Sequence, residues 1–333
     1  MTPRIYVAVQ PQEFDLLFEP EVAARLRDAA EVDFAPSGTG KVPVPPGVGQ
    51  DYDVLITSWS TAPFEPETLR GDRLRLAVHC AGSIRGLYPR QVLEDIRLAQ
   101  GGAGAMATAV AEMALTLTLA VLRNLHIHDR GLQATHDWQA GGHGMLGQAL
   151  HARRVGIVGL SRVGADYARM VRGVGAQHLT AFDPYVSPEL ADELGVELLP
   201  LEQVLAGSDV ISVTAPATPE TAGMLGPAEL ARIPDGAVLV NTARSAIVDE
   251  AALLAELSSG RLRAGLDVFD TEPLPSDSAF FGLENVILTP HVAGGTREAR
   301  WTQGRVVAGE VSRFLDDGTL EHEVTAERYD RLA

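Results

Sequence analysis

Apolar and polar positions along the chain fall into two alternating textures. Short, nearly continuous apolar runs at Ile5–Val9, Val32–Phe34, Asp53–Thr57, Leu74–His79 and Ile96–Ala99 are separated by stretches with helical spacing, such as Glu21–Ala30. Runs of that kind read as strands buried on both faces, as in a parallel sheet covered by helices. The alternation resumes further on, with strands starting at Arg154, His178, Val210, Val238, Arg263 and Val286. This predicts an α/β protein with doubly wound parallel sheets. A long apolar helix over about Met106–Arg123 leads to the second set of strands and reads as buried between domains or subunits. A last helical pattern runs from Arg297 to Asp316, with Trp301, Val307, Val311 and Phe314 on one side. The Pro/Gly-rich piece Pro36–Gly49 is expected as a surface loop, and Gly141–Gly144, after Trp138, as a flexible segment.

Composition narrows the class. The 333 residues give room for two α/β domains, each with its own core. A hydrophobic share of 46% with 21% charged residues fits a globular protein. The net charge of −17 speaks against a nucleic-acid binder, which needs a basic face. The single cysteine, Cys80, excludes an internal disulfide and fits a reducing compartment. The amino terminus shows no basic-then-apolar signal pattern, so a cytoplasmic location is expected. The apolar helix carries Glu112 and several small or hydroxyl residues, so no membrane span is expected. Lys41 is the one lysine and lies in no phosphate-loop pattern, which removes P-loop and Schiff-base chemistry. The histidines other than His291 show no ligand spacing, and no metal is predicted.

Chemistry enters at the strand ends. The strand Arg154–Gly159 is followed by the turn Leu160-Ser161-Arg162-Val163-Gly164 and then a helical pattern. Such a turn presents free N–H groups and a partial positive charge to a pyrophosphate. Gly159 permits the tight turn, Gly164 permits close helix–strand packing, and Ser161 stands where a middle glycine is usual. Asp183, ending the next strand, can accept hydrogen bonds from the adenosine ribose hydroxyls and repels a 2′-phosphate, which favours NAD over NADP. Three further strand ends carry Arg244, Glu272 and His291. Loops at the carboxyl ends of parallel strands converge on one crevice, so a cation, a carboxylate and an imidazole are expected together there. The cation suits a carboxylate substrate, and a carboxylate-backed His suits proton transfer. A competing pattern, Gly159-Leu160-Ser161 with Asp267 and His291 in hydrolase order, would make Ser161 a nucleophile. Val163 is too bulky for that elbow, and a hydrolase has no use for Asp183.

Together these residues resemble the D-isomer-specific 2-hydroxyacid dehydrogenase family. The resemblance runs from Leu74-Arg75-Leu76-Ala77-Val78 through Val110-Ala111-Glu112, the Gly159–Gly164 turn, Val213–Thr218, Asn241–Arg244 and Leu266–Phe269 to Thr289-Pro290-His291. It implies two doubly wound parallel-sheet domains, a flavodoxin-like substrate domain and a Rossmann NAD domain, with the active site in the interdomain cleft. The substrate domain would be discontinuous, 1–104 with 298–333, and the NAD domain would span 105–297. The implied reaction is hydride transfer between the nicotinamide and C2 of a D-2-hydroxyacid or 2-ketoacid. Arg244 would clamp the substrate, His291 would be the acid–base, and Glu272 would orient it. For the cofactor, Asp267 would accept from the carboxamide, Thr242 and Ala243 would line the nicotinamide, Arg162 and Val163 would offer N–H groups, and Pro216 would flank the adenosine. Val110 and Gly294 complete that implied set. A homodimer through the NAD domain is expected, and the alternative within the superfamily is an NAD-sensing, non-catalytic corepressor-like relative.

The loop after the fourth strand departs from the family pattern G-x-G-x-D. It reads His79-Cys80-Ala81-Gly82-Ser83-Ile84-Arg85-Gly86. Gly82 and Ser83 remain candidates for presenting amides to the substrate. Trp59 suggests a bulky or apolar substituent, and Arg85 a second anion. These two cues point to different substrates.

Overall fold

In the computed structural model, which describes residues 2–331, the chain forms two compact units. One comprises the residues up to Met106 and those from Gly295 onward; the other is Ala107–Gly294. Met1 and the last two residues of the expected substrate-domain range lie outside the described residues.

The first unit holds β1 (Arg4–Ala8), β2 (Glu31–Phe34), β3 (Val54–Thr57), β4 (Leu76–His79) and β5 (Arg97–Gln100). They form one parallel sheet in the order β2-β1-β3-β4-β5. β1, β3 and β4 are buried along nearly their whole length, which is why they read as continuous apolar runs. Strand order reverses between β1 and β3, so the carboxyl ends of those strands flank a crevice where doubly wound sheets take ligands. The helix Arg297–Asp316 belongs to this unit and packs Val307, Ala308, Val311 and Phe314 into its core. Trp301, expected on that face, is only half-buried. At 100° per residue it sits at the edge of that face, about 20° round the helix from Ala308 and 120° from Val307. After this helix, the buried Glu310 carboxylate accepts from Arg313, from the backbone N–H groups of Glu321 and His322, and from His322 Nδ1. Glu310, Glu321 and His322 thus lie together, a grouping that spacing did not show. Here the carboxylate turns the chain end back toward β5, where Glu323 bridges Ala99.

The second unit holds β6 (Arg154–Val158), β7 (His178–Phe182), β8 (Glu197–Leu198), β9 (Val210–Val213), β10 (Val238–Asn241), β11 (Arg263–Leu266) and β12 (Val286–Leu288). They form a second parallel sheet in the order β12-β11-β10-β9-β6-β7-β8. The six expected strand starts match; β8 was not expected, because two residues are too few to make a pattern. The switch point lies between β6 and β9. The apolar helix Ala107–Leu122 was expected between domains or subunits. Within this unit it packs one face into the core, with Thr118 Oγ1 2.9 Å from the Tyr167 hydroxyl and Leu117 against Gly265. Among the described residues, no single helix is long and apolar enough to cross a membrane. The Pro36–Gly49 piece is less superficial than expected, since Val42, Val44 and Val48 are buried.

Candidate active site

At the switch point of the second sheet, the first glycine is required twice over. Gly159 has φ +95°, and a Cβ there would sit 2.4 Å from the Ala215 Cα atom. A Cβ on Gly164 would lie 2.1 Å from the Gly159 carbonyl, which sets how closely the helix Arg162–Gly173 approaches β6. Thr214 Oγ1 donates to that carbonyl at 2.6 Å, tying the β6 and β9 ends together. Ser161 occupies the amino-terminal cap of the helix with φ −70°, a conformation open to any L residue, so the missing middle glycine costs no backbone strain. Its hydroxyl lies 3.4 Å from the Thr214 carbonyl. No imidazole contacts it among the described residues, so the hydrolase pattern is not assembled. Arg162 and Val163 begin the helix and present N–H groups at its positive end.

Asp183 is held at the tip of β7. One carboxylate oxygen accepts from the Leu160 N–H at 2.8 Å, and the other from the N–H groups of Tyr185 and Val186. The carboxylate therefore anchors the glycine turn, and no cation pairs with it among the described residues. Thr242 Oγ1 is buried without a partner, an orphan that the amide or ribose of a dinucleotide would satisfy. Pro216 is exposed just past Ala215, and Val110 and Gly294 are half-buried. The cradle at Gly159–Gly164, the open helix amides, Asp183 and the Thr242 hydroxyl together fit NAD.

The three chemical side chains lie on neighbouring strands of the same sheet. His291 Nδ1 is 2.6 Å from Glu272 Oε2, and Glu272 Oε1 accepts from the Phe269 N–H at 3.0 Å. The carboxylate is thus fixed by its own loop, and the imidazole keeps Nε2 for a reacting atom. His291 has φ +53°, a left-handed conformation that non-glycine residues adopt at a cost. Its N–H bonds to the Asp267 carbonyl at 2.9 Å, which holds that turn. Asp267 has no exposed surface. Its carboxylate accepts from Thr289 Oγ1 and from the N–H groups of Val292 and Ala293. The Asp267 carboxylate thus braces the turn that carries His291.

Arg244 follows β10. Its Nη1 donates to the Ala243 carbonyl at 2.7 Å, and Asn241 braces the loop through the Ala243 N–H and the Arg244 carbonyl. No carboxylate forms a salt bridge with Arg244 among the described residues. Desolvation pulls its pKa below the ordinary arginine value, and the field of Glu272 opposes that shift. A guanidinium that has lost water without gaining an anion is primed to take one. A half-open cavity of about 670 Å³ has Glu272 and His291 in its wall, with Phe269, Phe281 and Leu288.

In the first unit, Arg85 is committed elsewhere than expected. Its guanidinium donates to the backbone carbonyls of Tyr329 and Asp330, at 3.2 and 2.9 Å, and lies over the Tyr329 ring. The guanidinium thus ties the loop after β4 to the chain end. Trp59 does not offer a free apolar face on both sides, because the Arg300 guanidinium lies 3.9 Å from its ring centroid. Nothing in the local sequence distinguished Arg300 from its neighbours on an amphipathic helix. Gly82 and Ser83 are half-buried beside β4. Burial pushes the Cys80 thiol pKa up, which leaves it unreactive.

Comparison with known proteins agrees with this geometry. The family model described as "D-isomer specific 2-hydroxyacid dehydrogenase, NAD binding domain" matches residues 115–293. A D-3-phosphoglycerate dehydrogenase of Mycobacterium bovis is 44% identical over 208 residues, which is 62% of this chain and 38% of that protein. A glyoxylate reductase of Korarchaeum cryptofilum is 34% identical over 269 residues, 80% of each chain. A solved structure from Polaromonas sp. JS6 66, described as a D-isomer specific 2-hydroxyacid dehydrogenase, superposes with a TM-score of 0.82 at 25% identity, covering 98% of this chain and 100% of its own.

Proposed function

Because the chain belongs to the D-isomer specific 2-hydroxyacid dehydrogenase family, we propose that it is an NAD-dependent oxidoreductase acting at C2 of a D-2-hydroxyacid or 2-ketoacid. The observation that carries this reading is the Glu272–His291 pair at 2.6 Å in the same loop cluster as a guanidinium without a carboxylate partner. Bound NADH supplies the hydride. Arg244 holds the substrate carboxylate and C2 oxygen through its planar fork. His291 gives a proton to the C2 oxygen in reduction and takes it in oxidation, while Glu272 fixes Nδ1 and offsets the imidazolium charge. Gly82 and Ser83 remain the candidates for backbone contacts to the substrate. Hydride delivery to one face gives the D enantiomer.

The experiment is an NADH-oxidation screen over glyoxylate, hydroxypyruvate, pyruvate, phenylpyruvate, branched ketoacids and oxaloacetate. Turnover of at least one is expected. Tight NADH binding with no turnover of any would favour the corepressor-like alternative.

The cofactor preference follows from charge. Asp183 is fixed at the ribose end by three backbone N–H groups, and Pro184 and Tyr185 bring no cation to neutralise a 2′-phosphate. We expect kcat/KM to favour NADH over NADPH by at least tenfold, about 1.4 kcal/mol. Equal values for the two cofactors would remove Asp183 from this role.

We also assign the protein to the cytoplasm and to a homodimer formed through the second unit. The helix Leu125–Thr135 has no buried residue. Leu125, Leu132, Trp138, Met145 and Leu146 are exposed on it and on the turns that follow, Leu146 by 89%. An apolar patch of this kind asks for a cover, and a second copy of the chain is the cover we propose. Leu146→Glu should halve the mass measured by light scattering at micromolar concentration. A monomer without the substitution would refute the assignment.

A further inference from the structure

Arg244 and Glu272 stand on loops that leave neighbouring strands, β10 and β11, and each loop has its own internal brace. Asn241 holds the first through the Ala243 N–H and the Arg244 carbonyl, and Glu272 Oε1 accepts from the Phe269 N–H in the second. Glu250 joins the two. It lies further along the segment that carries Arg244, at the start of the helix Glu250–Ser258, and its Oε2 accepts from the Asp270 N–H at 2.7 Å. Successive amides of one turn, Phe269 and Asp270, are thus taken by two carboxylates, one from the Glu272 loop itself and one from the Arg244 side.

An acidic residue in the first turn of a helix ordinarily serves that helix's own open amides. Here Asp249 already caps the helix, its side chain accepting from the Ala252 N–H at 2.8 Å. Glu250 is left to reach across, from backbone that is held on its own side. The Asp249 N–H donates to the Leu225 carbonyl, and the Leu225 N–H to the Ile247 carbonyl. Glu250 borders a small void walled by Asn241, Ser245 and Val248 from the Arg244 side and by Val268 and Phe280 from the other. These surroundings are poor for a charge. Burial raises the Glu250 pKa, the bond from the Asp270 N–H opposes that shift, and the Asp270 carboxylate adds to it. No cation forms a salt bridge with Glu250 among the described residues, and the Asp270 N–H is the hydrogen-bond partner its side chain has there. A half-buried carboxylate beside a like charge adds little to stability, so what it does for this fold is hold that amide.

We propose that Glu250 is a positioning residue: its carboxylate ties the turn that carries Glu272 to the segment that carries Arg244, and so fixes the carboxylate–imidazole pair relative to the guanidinium. With the turn held, Glu272 keeps one orientation toward His291 Nδ1, and the ring keeps the tautomer that leaves Nε2 open. Arg244 grips the substrate while His291 moves its proton, so slack between the two loops misaligns the reacting atoms and lowers the rate. The assignment rests on the dehydrogenase reading for what the pair does, and not for how the turn is held.

The test uses the full chain and two readouts. Glu250→Met keeps the length of the side chain but removes the acceptor, whereas Glu250→Gln keeps an acceptor for the Asp270 N–H. With the best ketoacid of the screen, Glu250→Met should lower kcat about tenfold, with KM within about threefold and the Kd for NADH unchanged. Glu250→Gln should restore kcat to within about threefold of the original, which a general packing defect would not allow. In a Glu272→Gln background, Glu250→Met should cost less than about twofold, because its effect passes through Glu272. An equal loss in both backgrounds, or no loss in either, overturns the proposal. The second readout needs no turnover. With ¹⁵N-labelled histidine and the ring neutral, the two His291 nitrogens should report the Nδ1–H tautomer in the unaltered chain and in Glu250→Gln, and a mixture of tautomers in Glu250→Met. An unchanged tautomer in Glu250→Met would equally remove Glu250 from this role. If Glu250→Met does not fold, Glu250→Ala takes its place with the same expectations. Absence of turnover with every ketoacid would count against the dehydrogenase reading alone, while the tautomer still decides the place of Glu250.

Discussion

Replacing His291 with Asn should lower kcat for ketoacid reduction by a factor of roughly 10² to 10⁴, the range a positioned general acid contributes. Asn is chosen because His291 sits at φ +53°, and Asn is one of the few residues that accept that region readily. The turn is also held independently of the side chain, by the His291 N–H on the Asp267 carbonyl and by the Asp267 carboxylate on the Thr289 hydroxyl and the Val292 and Ala293 amides. The loss therefore reports proton transfer rather than a rearranged loop, and the Kd for NADH should stay within a factor of two or so. Glu272→Gln is the companion variant. It keeps a hydrogen-bond acceptor near Nδ1 but removes the charge that offsets the imidazolium. Its kcat should fall at least tenfold, about 1.4 kcal/mol. A His291→Asn enzyme retaining a tenth of the original kcat would mean that another group moves the proton.

Removing the clamp should cost nearly as much. Arg244→Ala should lower kcat/KM by a hundredfold or more, about 2.7 kcal/mol, with NADH affinity little changed. The size follows from its surroundings: desolvated and, among the described residues, without a carboxylate partner and bonded only to the Ala243 carbonyl, the guanidinium has most of its donors available for the substrate. Arg244→Lys should recover only part of the activity, because one ammonium cannot copy a planar fork. Near-normal turnover of Arg244→Ala, or an L product from the unaltered enzyme, would show that the substrate lies elsewhere.

Much of this was legible along the chain. Strands buried on both faces are runs of neighbouring residues, and a glycine turn between strand and helix is a contiguous motif. The strand starts of the second unit, the Gly159–Gly164 turn and the positions of Asp183, Arg244, Glu272 and His291 could therefore be read from local order. β8 and the buried valines of the Pro36–Gly49 segment could not, because they are too short or irregular to set a period. Pairings between distant residues were beyond any local pattern. Arg85 reads as a free cation until the tertiary fold brings the Tyr329 and Asp330 carbonyls to it, more than 240 residues along the chain. That the Asp267 carboxylate also braces the turn at Thr289–Ala293 cannot be read along the chain. Arg300 on Trp59 and His79 between Thr57 and Ser83 are likewise invisible to spacing. Periodicity states which side of its own element a residue occupies. Whether a charge or an amide there is free or already satisfied depends on the register between elements far apart in sequence, which only the packed structure fixes.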